Sequence, residues 1–250
     1  MSESMDEGMS GAQQRTAIVT GAGKRVGAEI ARALLTDGWR VVAHVHHADD
    51  PVPEGAVRVV ADLADADCGE RIVAAAGTAP ELLVNNAARF AQDGFGSFSA
   101  IEFDAHIAVN ARAPTLLIEA FARVAPRGSL IVNLLDAKLA APNTDFLSYT
   151  LSKQTLAGLT ELAARALAGR GIRVNAIAPA VMLPSGAQGE TNFEAVHALN
   201  PLGIGVEPAD VVRALRYLID SRAVTGETMT IDGGQRFFQL ARDVQFLEMK

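Results

Sequence analysis

Cysteine is almost absent, with Cys68 the only one in 250 residues. A lone thiol excludes an intrachain disulfide and a thiolate metal cluster, and it suits a reducing cytoplasm. Aromatic residues make up only 5% of the chain. That scarcity, with Ala and Val abundant, favours close helix-on-sheet packing over a β-sandwich. There is no excess of positive charge either. A net charge of -7 argues against a general nucleic-acid binder. No apolar run approaches the ~20 residues that a membrane span needs. Met1 to Arg15 has neither the apolar segment nor the positive run of a secretory signal. It reads as a flexible extension, with residues 16–250 forming one domain. His106 and His197 have no neighbouring ligand set, so no metal is expected, and Trp39 and Cys68 read as structural.

What is present is an alternation of strand and helix patterns in a chain that is 49% hydrophobic. Thr16 to Thr20 is a short β-rich run, followed by Gly21 and Gly23 and then by helical spacing from Val26 to Leu35. A strand, a glycine turn and a helix open a dinucleotide-binding unit, because glycines let the backbone approach a pyrophosphate and the helix N-terminus favours the anion. Further strands are predicted at 40–45, 56–61, 81–84, 128–135, 172–178 and 229–231. Helices are predicted at 67–77, 101–124, 149–168 and 209–220. This order implies an α/β fold, a doubly wound seven-stranded parallel sheet with helices on both faces. The segment 180–208, rich in proline and glycine and containing Leu183-Pro184-Ser185-Gly186, is too long for a routine connection and reads as a lid over a site.

The candidate chemistry lies in Asp136 to Lys153. Tyr149 and Lys153 are four residues apart, so on a helix the phenol and the ammonium share a face. A cation there is expected to lower the tyrosine pKa and make it a proton donor near neutrality. Asp136 stands thirteen residues before the tyrosine.

Ordered motifs across Thr16 to Gly234 resemble the classical short-chain dehydrogenase/reductase family. They are Thr20-Gly21-Ala22-Gly23-Lys24-Arg25-Val26-Gly27, Asn86-Ala87, Asn110, Tyr149 with Lys153, and Ile231-Asp232-Gly233-Gly234. Two departures narrow the resemblance. Arg25 replaces the loop's middle glycine, and Asp136 replaces the family's catalytic serine. With His44-Val45-His46-His47, Asn85-Asn86-Ala87-Ala88-Arg89-Phe90 and Asn110-Ala111-Arg112-Ala113-Pro114, they look like the pteridine reductase branch, which includes dihydromonapterin reductases.

The resemblance implies a single-domain Rossmann fold and NADPH as cofactor. Tyr149 would be the general acid, Lys153 would tune it and hold the nicotinamide ribose, and Asn110 would hold a water that links Lys153 to solvent. His46 and His47, with Lys24 and Arg25 nearby, occupy the region that would meet a 2′-phosphate, where an NAD-specific enzyme carries an acid. Asp62 would contact the adenine amine. Gly21, Val26, Leu63, Asn86, Ala87 and Pro179 complete the implied cofactor set with Tyr149 and Lys153. Arg25, Phe90, Asp136 and Tyr149 form the implied substrate set, with Phe90 stacking on a pterin.

Asp136 also bears on the substrate by charge alone. An ionised carboxylate cannot donate to a ketone oxygen gaining negative charge, whereas a carboxyl suits an imine-type nitrogen that takes a proton. The expected activity is therefore NADPH-dependent pterin reduction. The alternatives are a carbonyl reductase acting on an acyl or sugar ketone, and a non-catalytic nucleotide-binding protein. The apolar tail from Phe237 to Lys250 is expected at a subunit interface, and the family resemblance implies a homotetramer.

Overall fold

Short runs of β-branched and aliphatic residues build the sheet because parallel strands are covered on both faces and tolerate little polarity. In the computed structural model, which describes residues 14–184 and 189–247, seven strands form one parallel sheet in the order 3-2-1-4-5-6-7. They are β1 (Thr16–Val19), β2 (Arg40–Val45), β3 (Val57–Val60), β4 (Leu82–Asn85), β5 (Leu130–Leu134), β6 (Arg173–Pro179) and β7 (Thr228–Ile231). Every residue of β1, β4 and β5 is buried.

Helices α1 (Arg25–Thr36) and α7 (Pro208–Asp220) cover one face, where Ile30, Leu34 and Leu215 meet Val19, Val41 and Val132. Helices α2 (Cys68–Ala74), α4 (Ala113–Val124) and α5 (Leu147–Leu167) cover the other, where Ile72, Leu117 and Phe121 meet Ile18, Leu83 and Ile131. Cys68 is buried in that second core, as its structural reading requires. The strand order reverses between β1 and β4, which opens a crevice at the carboxyl ends of the strands.

Three local features differ from the sequence expectation. The predicted continuous helix at 101–124 is α3 (Ala100–Ile107) and α4 joined by a π-helical turn at Ala108–Arg112. The predicted irregular segment 180–208 contains α6 (Glu190–His197), while Ser185 and Gly186 lie outside the described residues. Most of the expected N-terminal extension, residues 1–13, also lies outside them, but its last two residues dock. Gln14 donates to the Gly38 carbonyl at 3.1 Å, and the Arg15 guanidinium lies 4.1 Å from the centre of the Trp39 ring.

Candidate active site

The crevice is a cleft of about 790 Å³ running from the β1–α1 loop to the C-terminal segment. Its nucleotide end is shaped by glycine. Gly21 has φ +63 and lies so near Ala87 that an added Cβ would come within 3.0 Å of its Cα. At Gly23 a Cβ would lie 2.7 Å from the Pro51 carbonyl oxygen, and at Gly27 only 2.2 Å from that of Gly21. The loop therefore needs bare backbone, and it runs into the N-terminus of α1, which has no side-chain cap at Lys24. Uncapped N–H groups at a helix start suit a phosphate. These features fit a dinucleotide.

Two side chains brace this loop. Asn86 Nδ2 donates to the carbonyls of Thr20 (2.8 Å) and Gly21 (3.2 Å), so its amide holds the loop to β4. His44 Nδ1 accepts from Gly21 N (3.2 Å), which leaves Nε2–H to donate to the Ala61 carbonyl (3.0 Å). Burial lowers the His44 pKa, in keeping with a neutral ring. The sequence reading treated His44 only as part of a motif. Its bracing role was visible in the pattern only as a polar residue within an otherwise apolar strand.

Of the other expected cofactor residues, Lys24, Val26, His46, His47, Asp62, Leu63 and Ala87 line the cleft. His46 Nε2 is 3.7 Å from Asp62 Oδ2, and the two histidine rings lie 4.1 Å apart. Asp50 joins them, accepting from His47 N at 2.9 Å. That backbone bond holds its carboxyl below the usual range even though burial pulls the other way. Pro179 ends β6 just before the lining residues Ala180 to Leu183, without lining the cleft itself. Arg25, in the left-handed region at φ +53, donates to the carbonyls of Pro184 (2.7 Å) and Leu183 (3.3 Å). Its guanidinium thus ties the glycine loop to the start of the lid segment, a role the sequence did not suggest.

At the reactive end, α5 presents Tyr149. Asp93 starts this helix by accepting from Ser148 N (2.9 Å) and from the Ser148 hydroxyl, while Phe146 turns the chain at φ +56. Tyr149 Oη donates to Asp136 Oδ2 at 2.8 Å, and Lys138 N donates to the other carboxylate oxygen, Oδ1, at 2.8 Å. Lys153, 3% exposed, donates from Nζ to the Leu134 carbonyl at 2.6 Å and lies 5.8 Å from the centre of the Tyr149 ring.

This corrects the expectation that Lys153 lowers the Tyr149 pKa. Burial first, and then the Asp136 carboxylate, push the phenol well above its usual value. Burial also raises Asp136, although its bonds from Lys138 N and Tyr149 and the charge on Lys153 oppose that. Burial lowers Lys153 to about 8. The helical spacing was read correctly, but the carboxylate from the β5–α5 connection reaches the hydroxyl before the ammonium does.

Asn110, buried in the π-helical turn, spends both amide donors, on the Arg89 carbonyl and the Ser152 hydroxyl (each 2.9 Å). Its side-chain oxygen accepts from Arg89 N at 2.7 Å. The side chain braces the Arg89 turn, so the expected water would have to use another atom, such as a backbone carbonyl of this turn. Phe90 lines the cleft and stacks on Phe146 (centroids 4.4 Å, 24°), with Tyr149 edge-on at 4.8 Å. One face of Phe90 is therefore covered.

The tail described from Phe237 to Leu247 returns over its own chain. Leu240 and Arg242 to Gln245 line the cleft, and residues 248–250 lie outside the described residues. Phe237 and Phe238 are exposed. Sequence reasoning missed Lys138, Asp145 and Asp243 at this end.

A seven-stranded sheet of this order, a glycine loop and a Tyr-Lys helix define a nicotinamide-type oxidoreductase, and comparison with known proteins agrees. Residues 21–236 match the family described as enoyl-(acyl carrier protein) reductase, and the chain belongs to these short-chain dehydrogenases/reductases. It is 35% identical over 246 residues to L-xylulose reductase of Mesocricetus auratus, covering 92% of this chain and 98% of that one. Among solved structures it is similar to FolM alternative dihydrofolate reductase 1 of Brucella suis in complex with NADP. The identity is 34% and the TM-score 0.82, over 89% of this chain and 95% of that one. The Brucella canis protein of the same name, also with NADP, gives 33% and 0.81, over 89% and 94%.

Proposed function

We propose that this enzyme is an NADPH-dependent reductase of a pterin of the dihydropterin or dihydromonapterin type. The observation that carries the proposal is the 2.8 Å hydrogen bond from the Tyr149 hydroxyl to Asp136. When bound, the cofactor supplies the hydride, which adds to the carbon of a C=N bond. The uncapped start of α1 holds the pyrophosphate, Lys24, His46 and His47 hold the 2′-phosphate, and Asp62 holds the adenine amine.

Tyr149 delivers the proton to the imine nitrogen. Loss of that proton leaves a phenolate against Asp136, which is tolerable only if the carboxyl is protonated and returns a proton to the phenolate. Burial of Asp136 favours that protonated form. Phe90 offers its uncovered face to a flat heterocycle, worth about 1 kcal/mol beyond area burial. Beside a ketone, an ionised Asp136 would face a developing alkoxide and raise the barrier.

A second reading is favoured by the L-xylulose reductase relative: reduction of a sugar ketone, with a protonated Asp136 donating in place of the usual hydroxyl. The two separate in one assay, NADPH oxidation with dihydrobiopterin and dihydromonapterin beside L-xylulose and a ketone panel. Turnover of ketones alone overturns the pterin proposal, and cofactor binding without turnover overturns both. We also infer a homotetramer, with exposed Phe237 and Phe238 in a contact between copies, for which sedimentation equilibrium is the test.

A further inference from the structure

We propose that residues 240–247 form the substrate-side wall of their own chain's active site, and that Lys138 and Asp243 are a positioning pair that latches this wall to the Asp136 turn. Two independent chains of contact support it. The first is polar. Lys138 Nζ donates to the Asp145 carbonyl at 2.6 Å and to Asp243 Oδ2 at 3.1 Å, while its backbone N holds Asp136. The side chains of Lys138 and Asp243 are 9% and 13% exposed, so the pair is withdrawn from water on a protein with open surface all around it. Asp145 closes the ring, taking Asp243 N at 2.7 Å and Arg242 Nε at 2.9 Å.

The second chain is aromatic. Phe246 stacks on Phe146 (5.6 Å, 13°), Phe146 stacks on Phe90, and Phe90 meets the edge of Tyr149. The tail thus touches the surroundings of both proton-handling groups, Asp136 through Lys138 and Tyr149 through the stacked rings. Beyond Phe246, the Leu247 carbonyl accepts from Asn192 of α6 at 3.0 Å, which joins the wall to the lid helix. Truncating one partner of such a withdrawn ion pair leaves the other uncompensated, so the latch would open rather than merely weaken.

This inference rests on the reductase reading, not on the identity of the substrate. The experiment uses the full chain and whichever substrate of the panel the wild type reduces. Asp243→Asn and Lys138→Met are each expected to raise substrate KM roughly tenfold, while the NADPH Kd stays within about twofold. The double variant should be no worse than the poorer single one, as for two halves of one contact. Unchanged substrate KM in the single variants, or additive losses in the double, overturns the proposal. The intramolecular placement has its own test. A chain ending at Gln239 is mixed with the Tyr149→Phe variant. No recovery of turnover is expected, and recovery would show that a neighbour's tail builds the wall. Retained NADPH binding shows that the shortened chain has folded; if it has not, the two point variants decide.

Discussion

The two ends of the cleft are built on different principles. The nucleotide end is made of backbone. Gly21, Gly23 and Gly27 are required for what they lack, and Asn86 and His44 bond to loop main chain. The substrate end is made of side chains that meet across long separations, such as Lys138 with Asp243, 105 residues apart. An end made of backbone suits a cofactor shared by many enzymes, and an end made of paired side chains can change with substrate while the first stays fixed.

The sharpest way to break this comparison is Tyr149→Phe. It should lower turnover by about 10²- to 10⁴-fold, the usual worth of a positioned acid, with NADPH affinity retained. Parallel stopped-flow turnover and cofactor titration check it, and a surviving rate would mean that another group delivers the proton. Next is Gly27→Ala, which places a Cβ against the Gly21 carbonyl and the Asn86 amide. Overpacking there should cost about 1–3 kcal/mol of stability and weaken NADPH binding. Denaturant midpoints and cofactor titration measure it, and an intact midpoint would show that the loop yields.

Asp136→Ser should reduce pterin turnover roughly tenfold, about 1.4 kcal/mol of barrier, while helping any ketone. Because burial raises the Asp136 pKa, its protonated form persists to higher pH than an ordinary carboxyl allows. Pterin turnover should therefore fall as pH climbs through that raised pKa, and the serine variant should lose this limb. The smallest effect concerns Lys153, whose pKa is about 8 in the fold against about 10.4 in the unfolded chain. Between those values the unfolded chain binds the extra proton, so stability rises with pH, on the order of 1 kcal/mol over the first unit above 8. Lys153→Met should flatten that rise in urea melts taken across this window.

The nucleotide end was legible in sequence because its constraints are local. A strand, glycines and a helix start within about ten residues can be read directly, as can Tyr149 and Lys153 on one helical turn. Asp136 was legible through its spacing to Tyr149, but its consequence was not, since the effect on the phenol depends on burial and on which charge stands nearer. Lys138, Asp145 and Asp243 carried no signal, because surface-type residues become a latch only once the tail returns. The sheet was legible from apolar runs, whereas the break between α3 and α4 was not. Ile101 to Val124 has helical spacing throughout, and nothing in it marks the extra residue.

That π-helical turn at 108–112 amounts to one residue inserted into an otherwise continuous helical rod. One residue rotates everything after it by about 100°. The rod can therefore address two partners, α5 before the turn and α2 after it. It follows that the chain carries a phase as well as a sequence here. Removing Val109 would let the rod wind as a regular α-helix while turning Leu117 and Phe121 out of the core. A deletion of one residue should then be less tolerable than most substitutions at the same place.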